Sequence, residues 1–383
     1  MRKPVLLTLT ALALTAAAGC REGDDSPTAP AVQAKPSANT SAPLSFRQLS
    51  AGGDHVCGIT TDDKAYCWGR NAEGQLGVGA AAGSGFYPRP IAVAGAHRFR
   101  SVSAGSLHTC GVTIDRVLFC WGLNDFGQLG DGTTITRRLP TRVAIAIRIR
   151  EVDPGWEHTC AVSMGNVAYC WGRDPYGQLG DATRASTRLT PVRVVLHPFK
   201  TVSAGFTSTC GVTPAGRGFC WGETHAGQLG IGNTDSDAQV IPAPIAGDLR
   251  FKNISAGFVH ACGVTRDNKA YCWGDNGYGE LGSATDNPVQ PTPALVAGGL
   301  AFRALETQYY RTCGVTTANA AYCWGVGALS GLPGVSEVPA LVPGGLQFRQ
   351  VTTGHSATCG VTTDNRGYCW HGGESPQPVL EPE

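Results

Sequence analysis

The chain has 383 residues, among them 52 Gly, 24 Pro and 2 Met, and only 15% are charged. This excludes helix bundles and doubly wound α/β folds, whose long glycine-poor segments are absent beyond the first 20 residues. With 30 Lys+Arg against 29 Asp+Glu, the net charge of +1 gives the whole chain no electrostatic footprint for nucleic acid.

At the N-terminus, Arg2 and Lys3 precede an apolar run from Val5 to Ala18 and small residues before Cys20, the pattern of a signal peptide over residues 1–19. The run is too short to span a membrane. Ala17-Ala18-Gly19-Cys20 resembles a bacterial lipobox, in which the Cys is acylated and becomes the new N-terminus. Ala17 stands where Leu is usual, so ordinary signal cleavage is the alternative. Residues 20–45 are rich in Ser, Thr, Ala and Pro and poor in large apolar side chains, which predicts a lipidated cysteine followed by a flexible tether. The expected location is therefore exported and lipid-anchored to the cell envelope. Arg21, where an inner-membrane lipoprotein often has Asp, favours the outer membrane, on its periplasmic side or at the cell surface.

Of the fifteen cysteines, fourteen form seven pairs of identical spacing: Cys57 with Cys67, Cys110 with Cys120, Cys160 with Cys170, Cys210 with Cys220, Cys262 with Cys272, Cys313 with Cys323, and Cys359 with Cys369. Zinc sites prefer two to four residues between paired thiolates, and no C-x-x-C occurs, so the pairs predict disulfides in an oxidising compartment.

These pairs recur with a period of about fifty residues, the range of propeller blades. Each unit over residues 46–383 holds four β-like pieces. The first is a Pro-bounded apolar run such as Pro140–Val143. The second runs into a Gly, as in Phe99–Gly105. The third is T-C-G-V-T, as in Thr109–Thr113, and the fourth is Y/F-C-W-G, as in Phe119–Gly122. Pieces three and four predict a hairpin with Cys57 opposite Cys67, Gly58 opposite Tyr66 and Ile59 opposite Ala65, and with Thr61-Asp62-Asp63 at its tip. The seven tryptophans after the second cysteines are expected in the core between blades rather than at a ligand.

The run S-A-G-S-L-H-T-C-G-V-T-I-D-R-V-L-F-C-W-G-L-N-D-F-G-Q-L-G-D-G, Ser103–Gly132, resembles the repeat of the regulator-of-chromosome-condensation family. G-Q-L-G recurs at Gly74–Gly77, Gly127–Gly130, Gly177–Gly180 and Gly227–Gly230, with G-E-L-G at Gly279–Gly282. Repeat six has Leu329-Ser330-Gly331-Leu332 instead, and repeat seven lacks the signature. The resemblance implies an all-β, seven-bladed propeller of four-stranded antiparallel blades, and the disulfide hairpins point to exported bacterial members. Because the chain opens at piece two and ends on a copy of piece one (Ser375–Leu380), the C-terminal strand is expected to close the ring by pairing beside the Phe46 strand in the first blade.

Two loops per blade should emerge on one face. The first, A-G-x-x-H, carries Trp156, Phe206, Phe258, Tyr309 and His355 in its first variable slot. The second carries Phe126, Tyr176 and Tyr278 beside the G-Q-L-G signature. Aromatic loop residues suit an interface centre, so these eight are the candidate binding face; covering the bottom of their own blades is the competing reading. His55, His108, His158 and His260 share another slot, where backbone hydrogen bonding within the blade is expected rather than a metal site. No cofactor motif or catalytic constellation stands out.

The expected function is a non-enzymatic, monomeric binding propeller for a protein or a cell-envelope glycan, anchored to the membrane by lipid and not engaging nucleic acid. One alternative is a secreted inhibitor, because a propeller of the resembling family acts on β-lactamases. Another is guanine-nucleotide exchange, the nuclear member's activity, which export and disulfides disfavour. A third is an enzyme whose acidic or His residues converge outside the repeat slots.

Overall fold

The computed structural model describes residues 44–80, 83–235, 237–327 and 334–382. Every regular element in these residues is a strand. The expectations for the signal peptide, for Cys20 and the tether up to residue 43, and for Leu329–Leu332 lie outside the described residues.

Seven separate antiparallel sheets each contain four strands in chain order. The first blade comprises β1 (Phe46–Ala51), β2 (His55–Thr60), β3 (Ala65–Arg70) and β4 (Phe86–Ala92). Thus each blade takes pieces two, three and four of one repeat and ends on piece one of the next. The β2–β3 register places Cys57 against Cys67, Gly58 against Tyr66 and Ile59 against Ala65, as the spacing requires. At the tip, Asp63 has φ 67°, and Asn166, Asn268, Asn319 and Asn365 adopt the same left-handed conformation in other blades. Short polar side chains of this kind tolerate that region, and the tight tip fixes the register. All seven expected disulfides are formed, with Cα–Cα distances between 4.0 and 4.1 Å.

The apolar core is divided among the blade junctions. At the junction of blades three and four, Val162, Cys170 and Leu179 pack on Phe199, Val202 and Trp221. The same arrangement recurs around the ring, and Trp121, Trp171, Trp221, Trp273 and Trp324 are wholly buried.

Ring closure differs from expectation. The C-terminal strand β28 (Gln377–Pro378) is the outermost strand of blade seven, which also contains β25 (Phe348–Thr353), β26 (Thr358–Thr362) and β27 (Gly367–Trp370). Gln377 pairs with Cys369, and among the described residues no C-terminal strand joins the first blade. The physical reason is the phase of the repeat within the blade. In every blade piece one returns to the strand just before it, as Cys120 pairs with Thr141 and Cys170 with Val192, and the tail pairs with Cys369 in the same way. The ring is closed by the inner strands, with bonds already used between blades. The Phe46 amide donates to Asn365 O at the preceding hairpin tip, as Phe99 donates to Asp63 O and Phe199 to Asn166 O. Inner-strand hydroxyls accept amides of the next blade: Ala104 N–H donates to Ser50 Oγ, Ala256 N–H to Ser203 Oγ and, across the closure, Ala51 N–H to Thr352 Oγ1. Each bond joins two inner strands that would otherwise show unpaired edges to the channel.

Candidate binding face

Glycine fixes the geometry of the face. A Cβ on Gly52 would lie 2.1 Å from Gly105 O, one on Gly155 would lie 2.4 Å from Gly205 O, and one on Gly354 would lie 2.2 Å from Gly52 O. Only hydrogen fits where successive blades touch around the channel mouth. The residue after a glycine in this row donates its amide to the neighbouring glycine carbonyl: Gly53 to Gly105 O, Trp156 to Gly205 O, Phe206 to Gly257 O and His355 to Gly52 O. The slot that carries the aromatic side chains is therefore anchored by backbone.

The five slot residues are brought together. Trp156 touches Phe206 at 4.7 Å, Tyr309 at 5.2 Å and Phe258 at 5.6 Å between ring centroids. Phe206 stacks on Phe258 at 4.3 Å, Phe258 on Tyr309 at 5.8 Å, and Tyr309 meets His355 at 4.1 Å. The four aromatic rings are half-buried, and the imidazole at the end of the row is exposed. They contact one another across blades. Below them the channel is polar, lined by Ser50, Ser103, Asp153, Ser203 and Glu306. Burial pushes Asp153 up to about 6 against its bonds from Ala204 N–H and the Ser103 and Ser203 side chains. Glu306 meets channel water but is walled in by protein, and it too is shifted upward by desolvation and by the charge of Asp153.

Tyr309 has φ 47°, a region that bulky side chains rarely enter. Repeat six has Gln308 where the other six repeats have Gly, so the regular glycine contact is lost there. Burial and the nearby Asp54 charge push the Tyr309 phenol up to about 12, although its hydroxyl bonds to the Ser106 side chain across the opening. His355 Nδ1 lies 3.5 Å from Asp54 Oδ1.

The second slot is dispersed. Phe126 lies beneath the Arg173 guanidinium, 4.9 Å from its carbon, and Tyr176 is exposed with no ring contact among the described residues. Tyr278 reaches the cluster through Tyr310, at 4.9 Å; Tyr310 also touches Phe258. Tyr310 was not among the sequence candidates because its position is aromatic in this repeat alone.

The histidine slot also differs from expectation. His55, His108, His158 and His260 bond not to backbone in their own blades but, through Nε2, to the hydroxyls of Thr109, Thr159, Thr209 and Thr312 one blade onward, at 2.8 to 3.0 Å. Burial lowers these imidazoles to about 3 or 4, so each is neutral. Arg311 replaces His in blade six and donates to Thr358 Oγ1 at 3.1 Å. Where the slot holds Ser208 or Ala357, the next blade holds Ala261 or Val56 instead of Thr, so both halves of the latch are lost together. This covariation was present in the sequence, but it gains meaning only when the partner slot is known to sit one blade away.

The G-Q-L-G loop is a second latch. Gln75 O accepts from the Trp121 indole N–H at 2.9 Å and from Thr109 Oγ1 at 2.8 Å. The tryptophan bond recurs from Trp171, Trp221, Trp273 and Trp324 at 2.8 to 3.0 Å. The following Leu76, Leu129, Leu179, Leu229 and Leu281 are buried in their junctions. The last glycine lies flat on the next indole; a Cβ on Gly130 would be 2.6 Å from Trp171 Nε1.

Family comparisons agree with this architecture. Two models of the Regulator of chromosome condensation (RCC1) repeat match, one at residues 46–75, 99–128 and 251–280, the other at 62–112 and 117–162. The Ultraviolet-B receptor UVR8 of Arabidopsis thaliana is 35% identical over 99 residues, 26% of this chain and 22% of that protein. The E3 ubiquitin-protein ligase HERC2 of Homo sapiens is 33% identical over 92 residues, 24% of this chain and 2% of that protein. The matched segments thus span less than a quarter of these relatives' length. Among solved structures, yeast RCC1 (Prp20) bound to Kap60 superposes with a TM-score of 0.73 at 19% identity, covering 80% of this chain and 78% of that one. Human WBSCR16 superposes at 0.76 with 16% identity, covering 84% and 88%; these likenesses show the fold alone. Repeat matches, curated relatives and seven four-stranded blades together show that the chain is a seven-bladed propeller carrying RCC1-type repeats.

Proposed function

We propose that the chain is an exported, envelope-tethered, non-enzymatic propeller that holds a protein or glycan partner on its aromatic face. One observation carries the reading: four aromatic residues from four successive blades, with His355 beside them, converge on the channel mouth and stay half-exposed. Fixed rings lose little entropy on contact and offer flat apolar area to a side chain or to the face of a sugar. Seven disulfides support work outside a reducing compartment and weigh against cytoplasmic nucleotide exchange.

The test is capture from solubilised native envelope by immobilised protein, comparing wild type, Phe206→Ala/Phe258→Ala and Tyr176→Ala. A partner held by wild type and the Tyr176 variant but lost from the double variant supports the assignment. Equal retention by all three refutes it. Each lost aromatic pair costs about 1 kcal/mol of stability, so melting curves recorded alongside separate a lost surface from a lost fold.

A further inference from the structure

The junction between blades seven and one lacks every latch found at the better-formed junctions. Repeat seven has no G-Q-L-G loop, Ala357 replaces His, and Val56 replaces the Thr that would bond to that loop. At this place the surface opens into a cavity of about 330 Å³, lined by Val56, Trp68, Phe86, Trp370, Val379 and Leu380. Phe86 is 70% exposed. Its counterpart strand in blade two is clasped by the preceding loop, with Gly79 N–H donating to Arg138 O. Trp68 is the one described tryptophan of the repeat slot that keeps 8% of its surface open, and its indole nitrogen has no acceptor among the described residues.

The five latched junctions show what fits such a space: a backbone carbonyl that accepts the indole N–H, followed by a leucine side chain that fills the junction. We propose that this cavity is a peptide-binding site which takes, from a partner protein, a loop presenting a carbonyl to Trp68 Nε1 and a leucine-like side chain to the space beside Val56 and Trp370. The partner would supply the latch that repeat seven lacks. The wall suits this occupant. Val56, lacking a hydroxyl, makes it more apolar than the equivalent surface of blade two, where Thr109 bonds to the Gln75 carbonyl. Asp54 at the rim also contacts His355, so the cavity adjoins the aromatic cluster.

The site is tested on the full chain labelled with 5-fluorotryptophan, with the Trp68 fluorine signal assigned by Trp68→Phe. Blocked Gly-Gln-Leu-Gly is titrated against blocked Gly-Gln-Ala-Gly. The expected result is a saturable shift of the Trp68 signal with the leucine peptide, while the buried tryptophans stay still, and about tenfold weaker binding of the alanine peptide. No shift, or an equal response to both peptides, overturns the proposal. A Trp68 signal already shielded from solvent before peptide is added overturns it in favour of another segment of this chain. A shift with protein concentration alone overturns it in favour of a second copy. Wild-type behaviour of this signal in the Phe206→Ala/Phe258→Ala variant keeps the test separate from the aromatic-face reading.

Discussion

Replacing tryptophan by phenylalanine at two positions of the same repeat slot should have unequal costs. Trp221 is wholly buried and donates to Gln178 O at 2.9 Å. Phenylalanine there loses that bond, worth about 1 kcal/mol net. The smaller ring leaves roughly 40 Å³ unfilled, about 1 kcal/mol more. Gln178 O still accepts from Thr209 Oγ1 at 2.8 Å, so no stranded carbonyl adds to the loss. Trp68 has no such bond and borders the open cavity, so Trp68→Phe should cost less than about 1 kcal/mol. Equilibrium unfolding in urea, with disulfides intact, reads the difference. With an m-value near 3 kcal/mol/M, Trp221→Phe should lower the midpoint by roughly 0.6 M and Trp68→Phe by less than half of that. Equal losses at the two sites would refute the latch and the gap inferred from it.

Glu280 stands in the glutamine position of its latch, fully buried, with Oε2 accepting from Tyr278 N–H at 2.7 Å and Oε1 unpartnered. Burial pushes its carboxyl up to about 7. Its stabilising contribution is therefore complete below the unfolded value near 4.5 and is lost as pH rises through 7. Glu280→Gln should gain about 3 kcal/mol on wild type between pH 4.5 and pH 8, read as unfolding free energy against pH; a flat difference would contradict the burial argument. Ending the chain after Gly373 removes β28 and the Val379 contact but no inner-strand bond. The ring should stay closed at a cost of about 1 kcal/mol, with an unchanged radius of gyration; an opened ring would show that the tail is the closure after all. Replacing both Cys160 and Cys170 with Ala should cost about 2 to 3 kcal/mol in unfolding free energy, and no loss would mean that the hairpin is held by its ladder alone.

The hairpins were legible because the same ten-residue spacing, alternation and polar tip occur seven times, and a one-residue slip would set the paired cysteines on opposite faces. The tryptophan core was legible for the same reason. Ring closure was not, because a chain that starts at piece two and ends on piece one satisfies either phase until piece one is known to pair with the strand just before it. The convergence of Trp156, Phe206, Phe258 and Tyr309 was half legible: repeat position identifies the slot, but whether it points over the channel depends on blade tilt and on Gln308 replacing glycine. The cavity beside Trp68 left a trace in the missing signature of repeat seven, which shows that a loop is absent but not what space its absence leaves.

A native thiol count with non-reducing peptide mapping tests most directly whether seven stapled hairpins work in an oxidising compartment. Protein purified without reductant should yield seven linkages, each within one hairpin, from Cys57–Cys67 to Cys359–Cys369, and no free sulfhydryl among these fourteen cysteines. Free thiols at most of these positions, or linkages between blades, would contradict it.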